Sequence, residues 1–155
     1  NYQTRDYMKI CIVVSNYYKE ISNNLLNGSI IELKKNGYKN IKIKFVSGAF
    51  EIPNIISRNI NKYNAFIALG CLIKGQTDHY YFISQAVTSG LMNLSIKSKK
   101  PIGFGILTCN TLKQASDRAS VSKKNKGKEV AKGIISILKN KWNTNLLPLK
   151  IQESW

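Results

Sequence analysis

The single histidine of the chain is the residue best suited to moving protons. His79 follows the turn Lys74–Asp78 (KGQTD) and stands at the start of a predicted helix. A neutral imidazole can accept a proton near neutral pH and return it later, which is general acid–base catalysis. A lone histidine is more often structural or simply exposed, so the residue pattern alone leaves both roles open.

The turn before His79 has the features of an anion site. Gly75 permits backbone angles that other residues avoid, and the first N–H groups of a helix have no partner within that helix. Together with the helix dipole, such amides favour a phosphate or another anion. An ordinary N-cap at Thr77 or Asp78 would explain the same residues.

Four other side chains have the chemistry to hold a ligand that carries a ring, hydroxyl groups and a phosphate. Glu51 could accept hydrogen bonds from hydroxyl or ring N–H groups, and Tyr17 and Phe50 could form an apolar wall for a flat ring. Arg118 could bind a phosphate through two parallel hydrogen bonds. Each also has an ordinary explanation, namely an acid favoured at a helix start, core aromatics and an exposed helical arginine.

Strand and helix patterns alternate around these residues. Apolar, β-branched runs predict strands, and apolar positions at helical spacing predict the helices between them. The alternation predicts one α/β domain, a three-layer α/β/α sandwich around a four-stranded parallel sheet. The predicted strands are Lys9–Ser15, Ile41–Val46, Ala65–Ile73 and Pro101–Thr108. The predicted helices are Tyr18–Asn36, about Pro53–Asn61, His79–Lys97, Thr111–Ser120 and Asn125–Trp142.

Helical spacing also predicts which side chains face the core. In the helix that begins at His79, these are Phe82, Ile83, Ala86, Val87, Leu91 and Leu94. In the last helix, they are Val130, Ile134, Ile137 and Leu138. The domain is expected to span 1–155, with 1–8 and 146–155 as terminal arms.

The candidate residues follow the predicted strands. Ligands of open parallel sheets collect beyond the carboxyl ends of the strands. Four segments lie there: Asn16-Tyr17, Gly48–Glu51, Cys71–His79 and Thr108–Asn110. We therefore expect a binding crevice at this edge.

Composition narrows the class of protein. The 155 residues carry 24 Lys and Arg against 8 Asp and Glu, a net charge of +16, which could indicate a nucleic-acid binder. However, 21 of the 24 cations are lysine, and 21 Ile and 17 Asn accompany them, a combination typical of codon bias toward A and T. We interpret most of the charge as solvated surface and expect no specific nucleic-acid partner.

The cysteines and the search for a leader sequence bear on two questions, metal binding and cellular location. Cys11, Cys71 and Cys109 are far apart, no CxxC occurs, and one histidine is too few for a typical zinc site. No apolar run approaches the ~20 residues that span a bilayer, and no secretory leader opens the sequence. We expect a cytoplasmic protein without a membrane partner, or an organellar one if a leader has been removed.

Together, six segments resemble the lumazine synthase family. The resemblance runs from about Ile10 to Leu138 in unbroken order, and two strings, GAFEIP and LGxxIxGxTxH, are specific when they occur together. The segments are IVVSNY (Ile12–Tyr17), SGAFEIP (Ser47–Pro53), ALGCLIKGQTDHY (Ala68–Tyr80), PIGFGILT (Pro101–Thr108), QASDRA (Gln114–Ala119) and NKGKEVA (Asn125–Ala131).

The resemblance implies a flavodoxin-like fold and a transferase of riboflavin biosynthesis. Such enzymes condense 5-amino-6-ribitylaminouracil with 3,4-dihydroxy-2-butanone 4-phosphate in the penultimate step, releasing phosphate and water. They need no metal or redox cofactor. They assemble as homopentamers, some of which close into icosahedral shells of sixty subunits, with sites shared between neighbours.

Site residues follow from the resemblance position by position. His79 matches the residue of proton transfer. Residues that match the pyrimidine and ribityl site are Tyr17, Ala49, Phe50, Glu51, Cys71, Leu72, Ile73 and Phe104. Residues that match the phosphate site are Gln76, Thr77, Arg118 and Lys126, and a neighbouring subunit would supply Phe104, Arg118 and Lys126.

The sequence departs from the family pattern at several positions. Asp78 matters most, because a misplaced carboxylate beside the phosphate would weaken anion binding. The other departures are Ser47, Cys71, Lys74, Gln76 and Cys109. Three rival hypotheses remain: a flavodoxin-like module that binds flavin without catalysis, a basic nucleic-acid-binding domain, and a shell protein that has lost its activity.

Overall fold

The computed structural model describes residues 2–141, which form four strands and six helices. The strands are β1 (Ile10–Ser15), β2 (Ile41–Val46), β3 (Ala65–Ile73) and β4 (Ile102–Cys109). The helices are α1 (Tyr2–Tyr7), α2 (Lys19–Lys35), α3 (Ile52–Arg58), α4 (His79–Ser98), α5 (Leu112–Ala119) and α6 (Lys126–Lys141). A 3₁₀ turn, Ala49–Glu51, leads into α3.

The strands form one parallel sheet in the order β2-β1-β3-β4. All of β1 and the first seven residues of β3 are buried, as expected for central strands covered on both faces. The predicted α/β class with a four-stranded parallel sheet is confirmed. No helix within 2–141 is both long and apolar enough to cross a bilayer.

Alternate side chains of the central strands supply two cores. In β1, Ile10, Ile12 and Val14 pack with α2, α5 and α6 on one face of the sheet. Cys11 and Val13 point to the other face, toward α3 and α4. The period of two along each strand thus divides the apolar residues between the two helix layers.

For two helices, the prediction of which residues face the core is partly wrong. In α4, Val87 and Leu91 are buried, but Phe82 is 70% exposed and Ala86 is exposed as well. In α6, Ile137 is 49% exposed beside the buried Leu138. The helices contact the sheet along a narrow stripe, so an apolar residue one position away from that stripe turns outward.

Other differences concern the ends of elements. Helix α3 ends at Arg58, short of the expected Asn61, and its entry is a 3₁₀ turn. Residues 2–7 of the expected N-terminal arm are helical. Trp142 and the tail 146–155 lie outside the described residues, and the span of the domain stays a prediction.

Close contact of α6 with β4 requires a glycine. A Cβ on Gly103 would lie 2.5 Å from Cγ1 of Val130 and 3.0 Å from Cγ1 of Ile134. Such distances are well inside van der Waals contact, so α6 would have to move away from the sheet.

We therefore expect Gly103→Ala to lower the free energy of unfolding by about 1–3 kcal/mol, measured by urea denaturation. Gly133→Ala is the matched control, because a Cβ at this position within α6 meets no heavy atom within 4 Å. In this control, the free energy of unfolding should rise by about 0.5–1 kcal/mol, because alanine has a higher helix propensity than glycine. Equal stability of the two variants would contradict the packing argument.

Candidate active site

A cavity of about 400 Å³ opens at the carboxyl ends of β1 and β3, where parallel sheets place their ligands. It reaches from the end of β1 to the first turn of α4. Its size is that of a small-molecule site. The lining residues are Ser15, Tyr17, Tyr18, Gly48, Ala49, Phe50, Glu51, Cys71, Leu72, Ile73, Gly75, Thr77, His79, Tyr80 and Ile83.

Backbone hydrogen bonds hold the strand ends around this cavity. The N–H of Asn16 donates to the carbonyl of Val46 at 3.1 Å, and the N–H of Lys74 donates to the carbonyl of Cys109 at 2.9 Å. The Ser22 hydroxyl of α2 donates to the carbonyl of Ser15. The rim of the cavity is therefore an extension of the sheet rather than a set of free loops.

Aromatic rings form the apolar wall. The rings of Tyr17 and Tyr18 meet edge to face, with their centroids 4.9 Å apart. Tyr17 is 74% exposed and Phe50 is 60% exposed, although both line the cavity. Large apolar surface that stays open in a single chain is suited to stacking against a ring or against another subunit.

Glu51 supplies the negative charge of the cavity. It ends the 3₁₀ turn that begins at Ala49, and its N–H donates to the carbonyl of Gly48 at 3.2 Å. A Cβ on Gly48 would lie 2.9 Å from Oε2 of Glu51. The glycine therefore leaves room for the carboxylate to lie over the turn, within reach of a ligand's hydroxyl or N–H groups.

The start of α4 faces the same cavity. Asp78 is the N-cap residue, but its side chain makes no capping hydrogen bond. The Thr77 hydroxyl accepts only a long hydrogen bond, 3.4 Å, from the N–H of His79. Of the two N-caps that the sequence suggested, neither satisfies the first turn well, so its amides are available to an anion.

Two thiols lie beneath this region. Burial raises the pKa of Cys71 to about 12, and the neighbouring Cys109 thiol adds to the increase. On its other side, Cys109 accepts a hydrogen bond from Nη1 of Arg118 at 3.5 Å. The guanidinium thus lies against the end of β4, and it does not line the cavity of its own chain.

The structure brings most of the predicted site residues into one place. The cavity contains His79, Thr77, Tyr17, Ala49, Phe50, Glu51, Cys71, Leu72 and Ile73. Gln76 lies between two lining residues without lining the cavity itself. The three residues expected from a neighbouring subunit, Phe104, Arg118 and Lys126, lie elsewhere on this chain.

Some residues that line the cavity were not predicted from the sequence. Ser15 is the last residue of β1, so the rule for strand ends could have found it. Tyr18 directly follows Tyr17, but a residue that begins a helix is as often solvent-facing as ligand-facing. Tyr80 and Ile83 lie in the first turns of α4, where the choice of face depends on how the helix is rotated.

Comparisons with known proteins show the family of the chain. The family described as 6,7-dimethyl-8-ribityllumazine synthase matches residues 7–141. The chain belongs to this family. It is similar to the 6,7-dimethyl-8-ribityllumazine synthase of Buchnera aphidicola subsp. Baizongia pistaciae (strain Bp), with 48% identity over 134 residues, 83% of this chain and 84% of that protein. It is also similar to the synthase of Blochmanniella floridana, with 42% identity over 146 residues, 88% of this chain and 91% of that protein.

Membership confirms the resemblance inferred from the six segments. The lumazine synthase family consists of transferases of riboflavin biosynthesis, as the sequence analysis predicted for this chain.

The raised pKa of Cys71 makes it a poor nucleophile. A shift from 9.0 to about 12 lowers its thiolate fraction by a factor on the order of 10³. We expect iodoacetamide near pH ~8 to alkylate Cys71 far more slowly in the native chain than in the urea-unfolded chain, as followed by peptide mass spectrometry. Cys11, whose pKa burial raises to about 11, is a second buried thiol in the same experiment and should also be alkylated slowly in the native chain. Native labelling of Cys71 at the unfolded rate would contradict its burial.

Proposed function

We propose that the chain condenses 5-amino-6-ribitylaminouracil with 3,4-dihydroxy-2-butanone 4-phosphate to give 6,7-dimethyl-8-ribityllumazine, phosphate and water, the penultimate step of riboflavin biosynthesis. One observation carries the proposal: an imidazole, a carboxylate and aromatic rings line a single cavity beside the weakly capped start of α4. Absorbance of the lumazine formed from the two substrates is the direct test. A non-catalytic flavin module, a shell protein without activity or a nucleic-acid-binding domain would give no product.

The wall of the cavity suits the pyrimidine substrate. The ring would lie against Tyr17, and the strand end Cys71–Ile73 would hydrogen-bond its polar edge through the backbone. The ribityl chain would extend toward Ala49 and Phe50, with Glu51 accepting hydrogen bonds from its hydroxyls. The raised pKa of Cys71 keeps its thiol neutral, so this side chain supplies bulk rather than charge.

The start of α4 suits the phosphate. Amides of Gln76 and Thr77 would donate to its oxygens, and the helix dipole favours the anion there. Asp78 is exposed and does not line the cavity, so its carboxylate need not oppose the phosphate. Arg118 and Lys126 of an adjacent subunit would complete the charge balance.

Bond changes in this reaction need positioning and proton transfer. The amine attacks the ketone and water leaves as an imine forms; phosphate then leaves, and ring closure releases a second water. No net oxidation occurs, so no cofactor is assigned. Holding the two substrates in contact can contribute ~7–11 kcal/mol at best. His79, at the mouth of the cavity, would move the protons, and the amides and cations would stabilise the departing phosphate.

The position of the cations supports an assembly of identical subunits. Arg118 and Lys126 do not line the cavity of their own chain, and an adjacent subunit would supply them in the proposed site. Large apolar side chains of α4 support such contacts, since Phe82, Met92 and Ile96 are 70%, 59% and 68% exposed in a single chain. We propose a homopentamer, or a shell of sixty subunits. We place it in the cytoplasm, where the three free cysteines would stay reduced.

Removal of the imidazole tests the proton-transfer role. His79→Ala should lower kcat by about 10²-fold or more while the KM for the pyrimidine substrate changes little. Lys97→Ala is the control, because it alters an exposed residue at the opposite end of the same helix. Equal kcat for wild type and His79→Ala would exclude this residue as the proton carrier.

Mixed assemblies test the shared site. His79→Ala and Arg118→Ala subunits should each be nearly inactive alone, yet regain activity when unfolded and refolded together. Random mixing of equal amounts leaves about one quarter of the sites with both side chains intact, because adjacent subunits contribute one each. Activity that stays at the level of the separate variants would contradict a site built by two subunits.

A further inference from the structure

The buried amide of Asn125 joins three parts of the chain. Asn125 is 5% exposed and directly precedes α6. Its Nδ2 donates to the carbonyl oxygens of Asn24 in α2 at 2.9 Å and of Ala119 at the end of α5 at 2.7 Å. Its Oδ1 accepts from the N–H of Lys128 in α6 at 2.9 Å. Both N–H groups of the amide are therefore used, and so is its oxygen.

These three bonds lie next to both cations proposed to bind phosphate. Ala119 directly follows Arg118, and Lys126 directly follows Asn125. Only the connection from Ser120 to Asn125 separates α5 from α6, so the bond to Ala119 closes this loop. The amide consequently sets the backbone distance between the two cationic residues.

Close helix packing leaves the amide in one position. A Cβ on Gly28 of α2 would overlap Oδ1 and Cγ of Asn125, and a Cβ on Gly127 would overlap the carbonyl of Leu25. The Ser29 hydroxyl of α2 also donates to the carbonyl of Gly127 at 2.7 Å. Movement of the amide would strand buried polar groups, which is costly.

A helix cap alone does not account for this geometry. Capping of α6 needs only Oδ1 and the N–H of Lys128. The two donations from Nδ2 go to other elements, α2 and the end of α5, and add nothing to the cap. They serve to hold α5 and α6 at a fixed distance.

Resting on the function proposed above, we infer that Asn125 is a positioning residue for phosphate recognition. It holds Arg118 and Lys126 at the spacing that a phosphate in the adjacent subunit's cavity requires. It does not itself touch the substrate. Its loss therefore affects affinity for the phosphate group rather than for the pyrimidine.

The substitution Asn125→Asp separates the two roles of the side chain. Aspartate has nearly the same shape and keeps an oxygen to cap α6, but it places a second oxygen against the carbonyls of Asn24 and Ala119. The KM for the phosphate-bearing substrate and the inhibition constant of inorganic phosphate should rise together by about tenfold. The KM for the pyrimidine substrate should stay within about twofold of wild type.

Gly28→Ala crowds the amide without altering it. This variant should also raise the KM for the phosphate-bearing substrate and the inhibition constant of inorganic phosphate.

Ser29→Ala is the matched control. It removes another buried hydrogen bond between α2 and α6 but leaves the amide and both cations in place. It should lower the free energy of unfolding without changing either phosphate constant. Light scattering at the assay concentration should show the same assembly for all variants.

Three results would overturn the inference. The phosphate constants could stay at wild-type values in both Asn125→Asp and Gly28→Ala. Ser29→Ala could raise them equally, which would assign the effect to general packing. The KM values of both substrates could rise together. If the wild type forms no lumazine, the proposed function fails. Calorimetric titration of wild type and Asn125→Asp with inorganic phosphate still tests the positioning role. Weaker binding in the variant supports this role, whereas equal or absent binding overturns it.

Discussion

Parallel pairing of the strands is the constraint on which the rest of this structure depends. Because β1, β2 and β3 run in the same direction, the segments that follow them leave from one edge of the sheet. Each segment must turn there before its helix covers a face of the sheet. Ser15–Tyr18, Gly48–Glu51 and Cys71–His79 are thereby brought together from distant parts of the chain. A reaction that mainly requires two substrates to be held in contact needs little more than such a convergence.

Charge is divided between the cavity and two helices whose cations do not line it. The cavity of a single chain contains the imidazole, one carboxylate and free amides, whereas Arg118 and Lys126 belong to α5 and α6. In the proposed function, backbone dipoles of the cavity and side chains of an adjacent subunit would share the binding of the anion. The large positive charge of the chain, carried mostly by lysines, would also favour the approach of an anionic ligand.

Sequence patterns were sufficient for what depends on periodicity and strand ends. The limits of β2 and β3 agree with the predicted ones, because both are short β-branched or apolar runs between polar turns. Patterns were insufficient where packing against a neighbouring element decides which side chain is buried and what it bonds to. Phe82 is as apolar as Ile83, and only the rotation of α4 against the sheet exposes it. Asn125 is one of 17 asparagines, and nothing local indicates that its Nδ2 donates to carbonyl oxygens of two other helices, α2 and α5.

The crossing of α2 and α6 also limits how this chain can drift. Lysine and asparagine, which codon bias toward A and T favours, are easily accommodated on the surface, where a side chain meets few neighbours. Glycine at 28 and 127 has no such freedom, since any other residue would introduce a Cβ into the space of the Asn125 amide or of the Leu25 carbonyl. Drift in composition can therefore change exposed positions outside the proposed subunit contacts, but a side chain at either glycine would overlap buried polar atoms.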